Sequence, residues 1–446
     1  MTHPSAAPAR RMTLLSLIGA LYFMVSGGPY GLEELARKVG LGASVVILIV
    51  TPIIWSVPTA LMVGELSSAL PEEGGYYAWV RRAMGPFWGY QEAWLSLAAS
   101  VFDMAIYPTL FVLYLGRLVP AAAAWPHAVG ALVIAAGAAY NLAGARSVGL
   151  GSAVMTALLL GPFLVLVGLA LFGHAAPAAA SAHAVGAPDL AGGVLIAMWN
   201  YMGWDNASTI AGEVERPQRT YPIAVLSAVA LIALAYVVVI GAMAIARVDP
   251  SHWDTGSWVD VARAFGGAPL AWAVVAGGMI SAFGMFNALC LSYSRIPAVL
   301  AEDGYLPPVL ARRLPRGGAP WVSVLVCSLA WMLSLGLPFE RLVSLDILLY
   351  GTSLLLEFVS LAILRIREPD LPRPFRVPGG LLGACVIGVG PVALLGFALV
   401  KNAGEQVLGI SALVFGGLVM AVGPIAYAAA SARRGRRGFT AAGPLR

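Results

Sequence analysis

The strongest constraint on this chain is the recurrence of apolar runs about twenty residues long, the length an α-helix needs to cross the hydrocarbon core of a bilayer. Twelve can be marked, with approximate edges: 13–36, 41–70, 87–119, 126–143, 148–172, 190–211, 223–246, 270–301, 322–337, 342–366, 381–399 and 407–430. Only 11% of the 446 residues are charged, against about 25% in soluble domains, so little is left over for a soluble unit. Inside a bilayer every backbone group must be paired within the protein, which favours helices. The reading is an all-α integral membrane protein with 12 transmembrane helices and the lipid bilayer as its solvent.

Lys and Arg orient it. With the N-terminus inside and the segments alternating, twenty basic residues fall on the inner side and seven on the outer. This is the positive-inside pattern, with both termini cytoplasmic in the cell membrane. It also accounts for the net charge of +5, so no nucleic acid partner is invoked. Met1 to Met12 is short and polar, and no signal peptide is expected there. The three cysteines, Cys290, Cys327 and Cys385, sit in apolar runs without metal or disulfide spacing.

Two of the runs are interrupted. Ser26-Gly27-Gly28-Pro29-Tyr30-Gly31 breaks the first, and Asn200, Gly203, Asp205 and Asn206 break the sixth. Gly and Pro cost a helix interior roughly 1 and 3 kcal/mol against Ala. Interrupted segments at matching places in two halves point to an inverted-repeat transporter with its site at the breaks. The division is then a cytoplasmic tail 1–12, repeat one at 13–173 (segments 1–5), an external linker 174–189, and repeat two at 190–366 (segments 6–10). Two extra helices with a preceding cytoplasmic loop follow at 367–430, and a basic tail at 431–446.

The broken ends supply chemistry. Free amides are expected from Gly27, Gly28 and Tyr30, since Pro29 has none, and a half-helix N-terminus attracts anions. Carbonyls near Val25 and from Trp199 to Tyr201 would accept from an ammonium. Acids inside a membrane are costly and mark function by default. Asp103, Asp205, Asp346, Glu65 and Glu357 lie in or near the runs. Asp103 and Asp205 are the candidates for holding a substrate ammonium or a proton; the plainer alternatives are a hydrogen-bonded structural acid and a helix cap. Glu65 and Glu213, near the inner ends, read as gate charges opposite arginines or as interfacial salt bridges. Glu33 and Glu34, toward the outer end of the first run, read as a solvated helix end, with one of them facing the vestibule as the alternative. Tyr30, Tyr107, Tyr201 and Trp204 would wall the site, where aromatic faces attract cations. The substrate-binding set is therefore Ser26, Gly27, Gly28, Tyr30, Asp103, Tyr107, Trp199, Tyr201, Trp204 and Asp205. The gating and coupling set is Glu65, Asp103, Asp205 and Glu213.

Gly64-Glu65-Leu66, Pro71-Glu72-Glu73-Gly74-Gly75-Tyr76-Tyr77, Gly85-Pro86-Phe87-Trp88-Gly89, Gly212-Glu213-Val214-Glu215-Arg216-Pro217 and Glu302-Asp303-Gly304-Tyr305-Leu306-Pro307 occur in this order. The chain resembles the amino acid–polyamine–organocation transporters, and its first break and Asp103 to Pro108 resemble the polyamine-uptake branch known from plants. The resemblance implies a leucine-transporter-type 5+5 inverted repeat with helices 1 and 6 broken, alternating access and usually proton coupling. It also implies a segment 6 aromatic, Trp204 or Tyr201, closing over the substrate.

The chain departs from that branch at Met24, Leu289 and Tyr293, where acids are usual. Pro29 departs from the amino-acid-transporting relatives. No Lys or Arg occurs between Val148 and Phe172, so the lysine some proton-coupled relatives carry there is absent. A sodium site would draw on Ser281, Ser292 or Ser294. The expectation is a permease, not an enzyme, importing amino acids or polyamines by proton symport, with no cofactor, no catalytic residue and no metal site. The coupling ion is H+, with Na+ left open. An exchanger and a transport-inactive nutrient sensor stay open as alternatives, as do the substrate and the oligomeric state.

Overall fold

The first run is helical only as far as Val25, because Pro29 has no N–H to give the Val25 carbonyl. In the computed structural model α1 covers Leu14–Val25, and α2 resumes at Glu33–Val39 with Glu33 and Glu34 in its first turn and Arg37 and Lys38 in its last, each end matching the helix dipole. The structure describes residues 11–436 apart from 118, 174–187, 316, 338, 402–403, 405 and 408. The proposed linker thus lies almost wholly outside the described residues, as do nearly all of the first tail and residues 437–446 of the last.

The second run is α3 (Leu41–Thr51) and α4 (Val57–Ala69), joined by a π-helical turn at Pro52–Ser56. Then come α5 (Tyr76–Met84), α6 (Pro86–Gly116), the short α7 (Pro120–Ala123), α8 (Pro126–Asn141) and α9 (Ala145–Phe172). The sixth run is α10 (Leu190–Trp199), a turn, and a 3-10 stretch Asn206–Glu213. The remainder is α11 (Pro217–Ile245), α12 (Trp258–Tyr293), α13 (Arg295–Glu302), α14 (Trp321–Trp331), α15 (Phe339–Arg367), α16 (Gly380–Lys401) and α17 (Ala412–Arg436). The described strands are a two-residue antiparallel pair between α16 and α17.

Among the described residues eight helices are long and apolar enough to cross a membrane by themselves; α1, α10 and the α14 stretch are shorter apolar helices. This is a multi-pass membrane protein. One helix, α5, was not legible as an apolar run, because it is amphipathic. The eighth run is longer than expected: α12 starts at Trp258 and bends at Gly267, which has a positive φ.

The core is α1, α6, α12 and α15, with α9 laid against α1. Close approach there needs small residues, as between membrane helices generally. A Cβ on Gly19 would stand 2.6 Å from the Ala153 backbone nitrogen. The decisive approach is between the two breaks. Gly203 has φ +98, and a Cβ there would stand 2.3 Å from the Met24 carbonyl oxygen. The breaks therefore meet main chain to main chain.

Candidate functional site

Around that junction lies a small cavity. The first break contributes Met24, Val25, Gly27 and Tyr30, and α6 contributes Asp103, Tyr107 and Leu110. The second break contributes Trp199, Asn200, Met202, Gly203 and Asn206. Ser281, Met285, Leu289 and Tyr293 come from α12, and Asp346 and Tyr350 from α15. Five residues expected at the site are thus brought together: Gly27, Tyr30, Asp103, Tyr107 and Trp199. The wall includes two carboxylates and no Lys, Arg or His.

The two acids differ. Asp103 accepts from the Tyr107 hydroxyl at 2.5 Å and from the Tyr293 hydroxyl at 3.2 Å. Tyr107 is one helical turn along from Asp103, so that bond is set by α6 itself; Tyr293 arrives from α12. Asp346 is buried at the cavity wall, and among the described residues no hydrogen bond or ion pair reaches it. A buried carboxylate without a donor costs several kcal/mol, a cost that a proton or a cation entering the cavity would relieve.

The remaining expected residues stand outside the wall. Ser26 is spent locally, its oxygen accepting from Tyr236 at 2.6 Å and from the Gly28 amide at 2.9 Å. That bond also removes Gly28 from the expected free amides. Tyr201 donates to the Leu48 carbonyl at 2.9 Å and packs on Tyr236. Trp204 is wholly buried, and its indole N–H finds no acceptor among the described residues. Past Trp199 the chain is no longer α-helical, so helical spacing does not say which way these rings face; the second-break aromatic on the cavity wall is Trp199. Asp205 accepts from the Tyr350 hydroxyl, which in turn accepts from the Gly203 amide at 3.0 Å.

Most carbonyls freed by the breaks are taken up by distant side chains. Gly27 O accepts from Ser281 at 2.6 Å and Pro29 O from Trp258 at 2.8 Å. Asn200 O accepts from Tyr236 at 3.0 Å and Tyr201 O from Trp55 at 3.1 Å. The Val25 carbonyl, on the cavity wall, has no donor among the described residues.

Glu65 and Glu213 lie away from the cavity, and each meets arginine. Glu65 is fully buried, bonded to Arg365 at 2.9 and 2.5 Å and to the Val377 amide at 2.7 Å, with Arg373 at 3.3 Å. Glu213 pairs with the buried Arg295 at 2.9 Å. Glu33 is not a solvated helix end. It is fully buried and accepts from the Gly31 amide at 2.7 Å, the Tyr114 hydroxyl at 2.5 Å and the Gly256 amide at 3.0 Å. Glu34 is half-buried and paired with the more exposed Arg37. Asp346, Tyr293 and Tyr350 are the site residues that sequence reasoning left without a role; the signal available was Asp346 as an acid inside an apolar run.

A bundle of apolar helices around an enclosed polar cavity, with two helix breaks in its wall, defines a membrane transporter. Residues 14–429 match the family model described as amino acid permease, and the chain belongs to that family. A protein named as a polyamine transporter from Arabidopsis thaliana is 34% identical over 430 residues, covering 93% of this chain and 86% of the relative. One so named from Oryza sativa subsp. japonica is 35% identical over 399 residues, covering 89% and 75%. An uncharacterized transporter of Mycobacterium tuberculosis is 30% identical over 285 residues, 60% of each.

Proposed function

We propose that this transporter imports polyamines or similar amines through the cell membrane by proton symport and alternating access. The observation that carries the reading is Asp346: an unbonded carboxylate in a cavity that also holds Asp103 and no basic side chain. Two acids suit a molecule with two ammonium groups, and Tyr30, Tyr107, Trp199 and Tyr293 offer aromatic faces to its cationic ends. The Val25 carbonyl can accept from one of them. The names of the plant relatives point the same way. An α-amino acid is the second reading, favoured by Gly27, whose amide has no partner among the described residues and lies on the wall.

The architecture we infer has twelve spans with both termini cytoplasmic, as a 5+5 inverted repeat with helices 1 and 6 broken and α16 and α17 appended. Glu65 and Glu213, with their arginines, are read as closing the inner side. Protons are preferred over sodium because buried carboxyls able to carry them, Asp103 and Asp346, lie on the cavity wall. The test is uptake by the purified protein in lipid vesicles, comparing putrescine, spermidine and neutral amino acids under imposed proton and sodium gradients. Uptake of neutral amino acids but not of diamines refutes the amine assignment. Uptake driven by sodium and indifferent to the proton gradient refutes the coupling.

A further inference from the structure

A second group of acids lies behind the cavity wall and takes no part in the site just described. Glu357 on α15 is fully buried, and among the described residues no N–H or O–H donor reaches either of its oxygens. What it meets is the carboxyl of Asp205. Glu92 on α6 lies near both; one of its oxygens has no donor, and the other is met by the Ser96 hydroxyl at a long 3.4 Å and by Ser353. From α5 the buried Tyr76 hydroxyl lies near the group, with Ser96 as its neighbour but no close hydrogen bond among the described residues. The neighbouring titratable groups are Tyr350, which donates to Asp205, and Asp346 at the cavity. Among the described residues no Lys, Arg or His acts on the group.

Two carboxylates in contact are both acceptors, so the contact is attractive only when a proton lies between them; like charges at this range do not both ionise. A metal would serve the same purpose. Yet among the described residues no three Asp, Glu, His or Cys side chains converge as a metal's ligands would. We propose that Asp205 and Glu357 share one proton, with Glu92 as its onward acceptor, and that these three acids form the proton-binding site of the transporter. When a second proton reaches the pair from the cavity, one O–H bond there breaks as one forms on Glu92, so the pair keeps one shared proton and one negative charge while Glu92 becomes neutral. Tyr350 is the positioning residue that reports the change to the cavity. It lies on the cavity wall, donates to Asp205 and holds the Gly203 amide at the junction of the breaks.

The role in symport rests on the function proposed above; the bound proton does not, and two measurements separate them. Infrared spectra of the full-length protein in lipid, titrated through neutral pH, test the proton itself. A protonated-carboxyl stretch present in the wild type is expected to be lost in Glu357→Gln and in Asp205→Asn, and kept in Glu357→Asp. Its absence from the wild type, or its survival in both amide variants, overturns the proposal. The second measurement is the ratio of protons to putrescine entering vesicles that hold a pH-sensitive dye. The ratio is expected to collapse in Glu357→Gln whatever the uptake rate; an unchanged ratio overturns the coupling role. If the wild type shows the infrared band and moves no amine, the amine reading fails and the proton site stands.

Discussion

Replacing Gly203 by alanine tests whether the two helix breaks bear on each other through their backbones. Two costs add. An L-residue at φ +98 carries a left-handed penalty of roughly 1–2 kcal/mol. The new methyl would also lie 2.3 Å from the Met24 carbonyl oxygen, where ordinary contact begins near 3.4 Å. Backbone is on the other side of that contact, so no side-chain rotation relieves it. The end of α1 must retreat by about 1 Å, and overpacking of this kind costs roughly 1–3 kcal/mol. Together these give about 2–5 kcal/mol, and each 1.4 kcal/mol is about a tenfold change in an equilibrium. The assay is thermal denaturation of the purified protein alongside putrescine uptake, with Gly212→Ala as control. A Cβ at Gly212 meets nothing within 4 Å, so that variant is expected to match the wild type. Gly203→Ala is expected to melt early and to lose at least about thirtyfold in uptake, the equivalent of about 2 kcal/mol. A Gly203→Ala protein with the stability and uptake of the control would refute the backbone contact.

Asp346→Asn removes the unbonded cavity carboxylate, and the loss of one charge-assisted contact of about 1.5–3 kcal/mol should weaken putrescine binding by about 10–150-fold; calorimetry that finds unchanged affinity removes Asp346 from the site. Arg365→Ala leaves the buried Glu65 with a single arginine nearby and is expected to destabilise by about 3–5 kcal/mol, while Glu65→Gln combined with Arg365→Met should recover most of the melting temperature. Trp258→Phe deletes the donor to the Pro29 carbonyl at the cost of roughly 1–3 kcal/mol for an unpaired buried acceptor, to be read from the melting curve. Glu368, outside the membrane helices, is held below the usual carboxylate range by its hydrogen bonds to Arg82. Its contribution to stability is therefore present above about pH 4.3 and lost as pH falls through the lower folded value. Glu368→Gln is expected to flatten that acid limb of the melting-temperature profile, and an unaltered limb counts against the pairing.

How much of this was legible in the sequence depended on the range of the interaction. The helices were, because a bilayer demands a run of apolar residues and each such run is local. The breaks were, because Gly and Pro act on their own backbone. What satisfies the breaks was not: Ser281 lies 254 residues from Gly27 and Trp258 lies 229 from Pro29, and nothing near either serine or tryptophan announces the partner. Asp346 stood out as an acid among apolar residues, yet no break lies beside it, so its place on the cavity wall needed the packing of α15 against α6. Tyr201 and Trp204 were misleading for the opposite reason. They sit beside a break, but beyond Trp199 the chain leaves the helical period that would have said which way they face.

Glu33 joins three stretches of chain that are distant in sequence: the Gly31 amide at the first break, Tyr114 near the end of α6, and Gly256 ahead of α12. One carboxyl serves all three, so their fastenings are not independent. A change that withdraws it, such as Glu33→Ala, removes a fastening from all three segments at once. The corner held by Glu33 is thus a knot rather than a row of stitches: spectroscopic labels on the three segments are expected to loosen together in that variant.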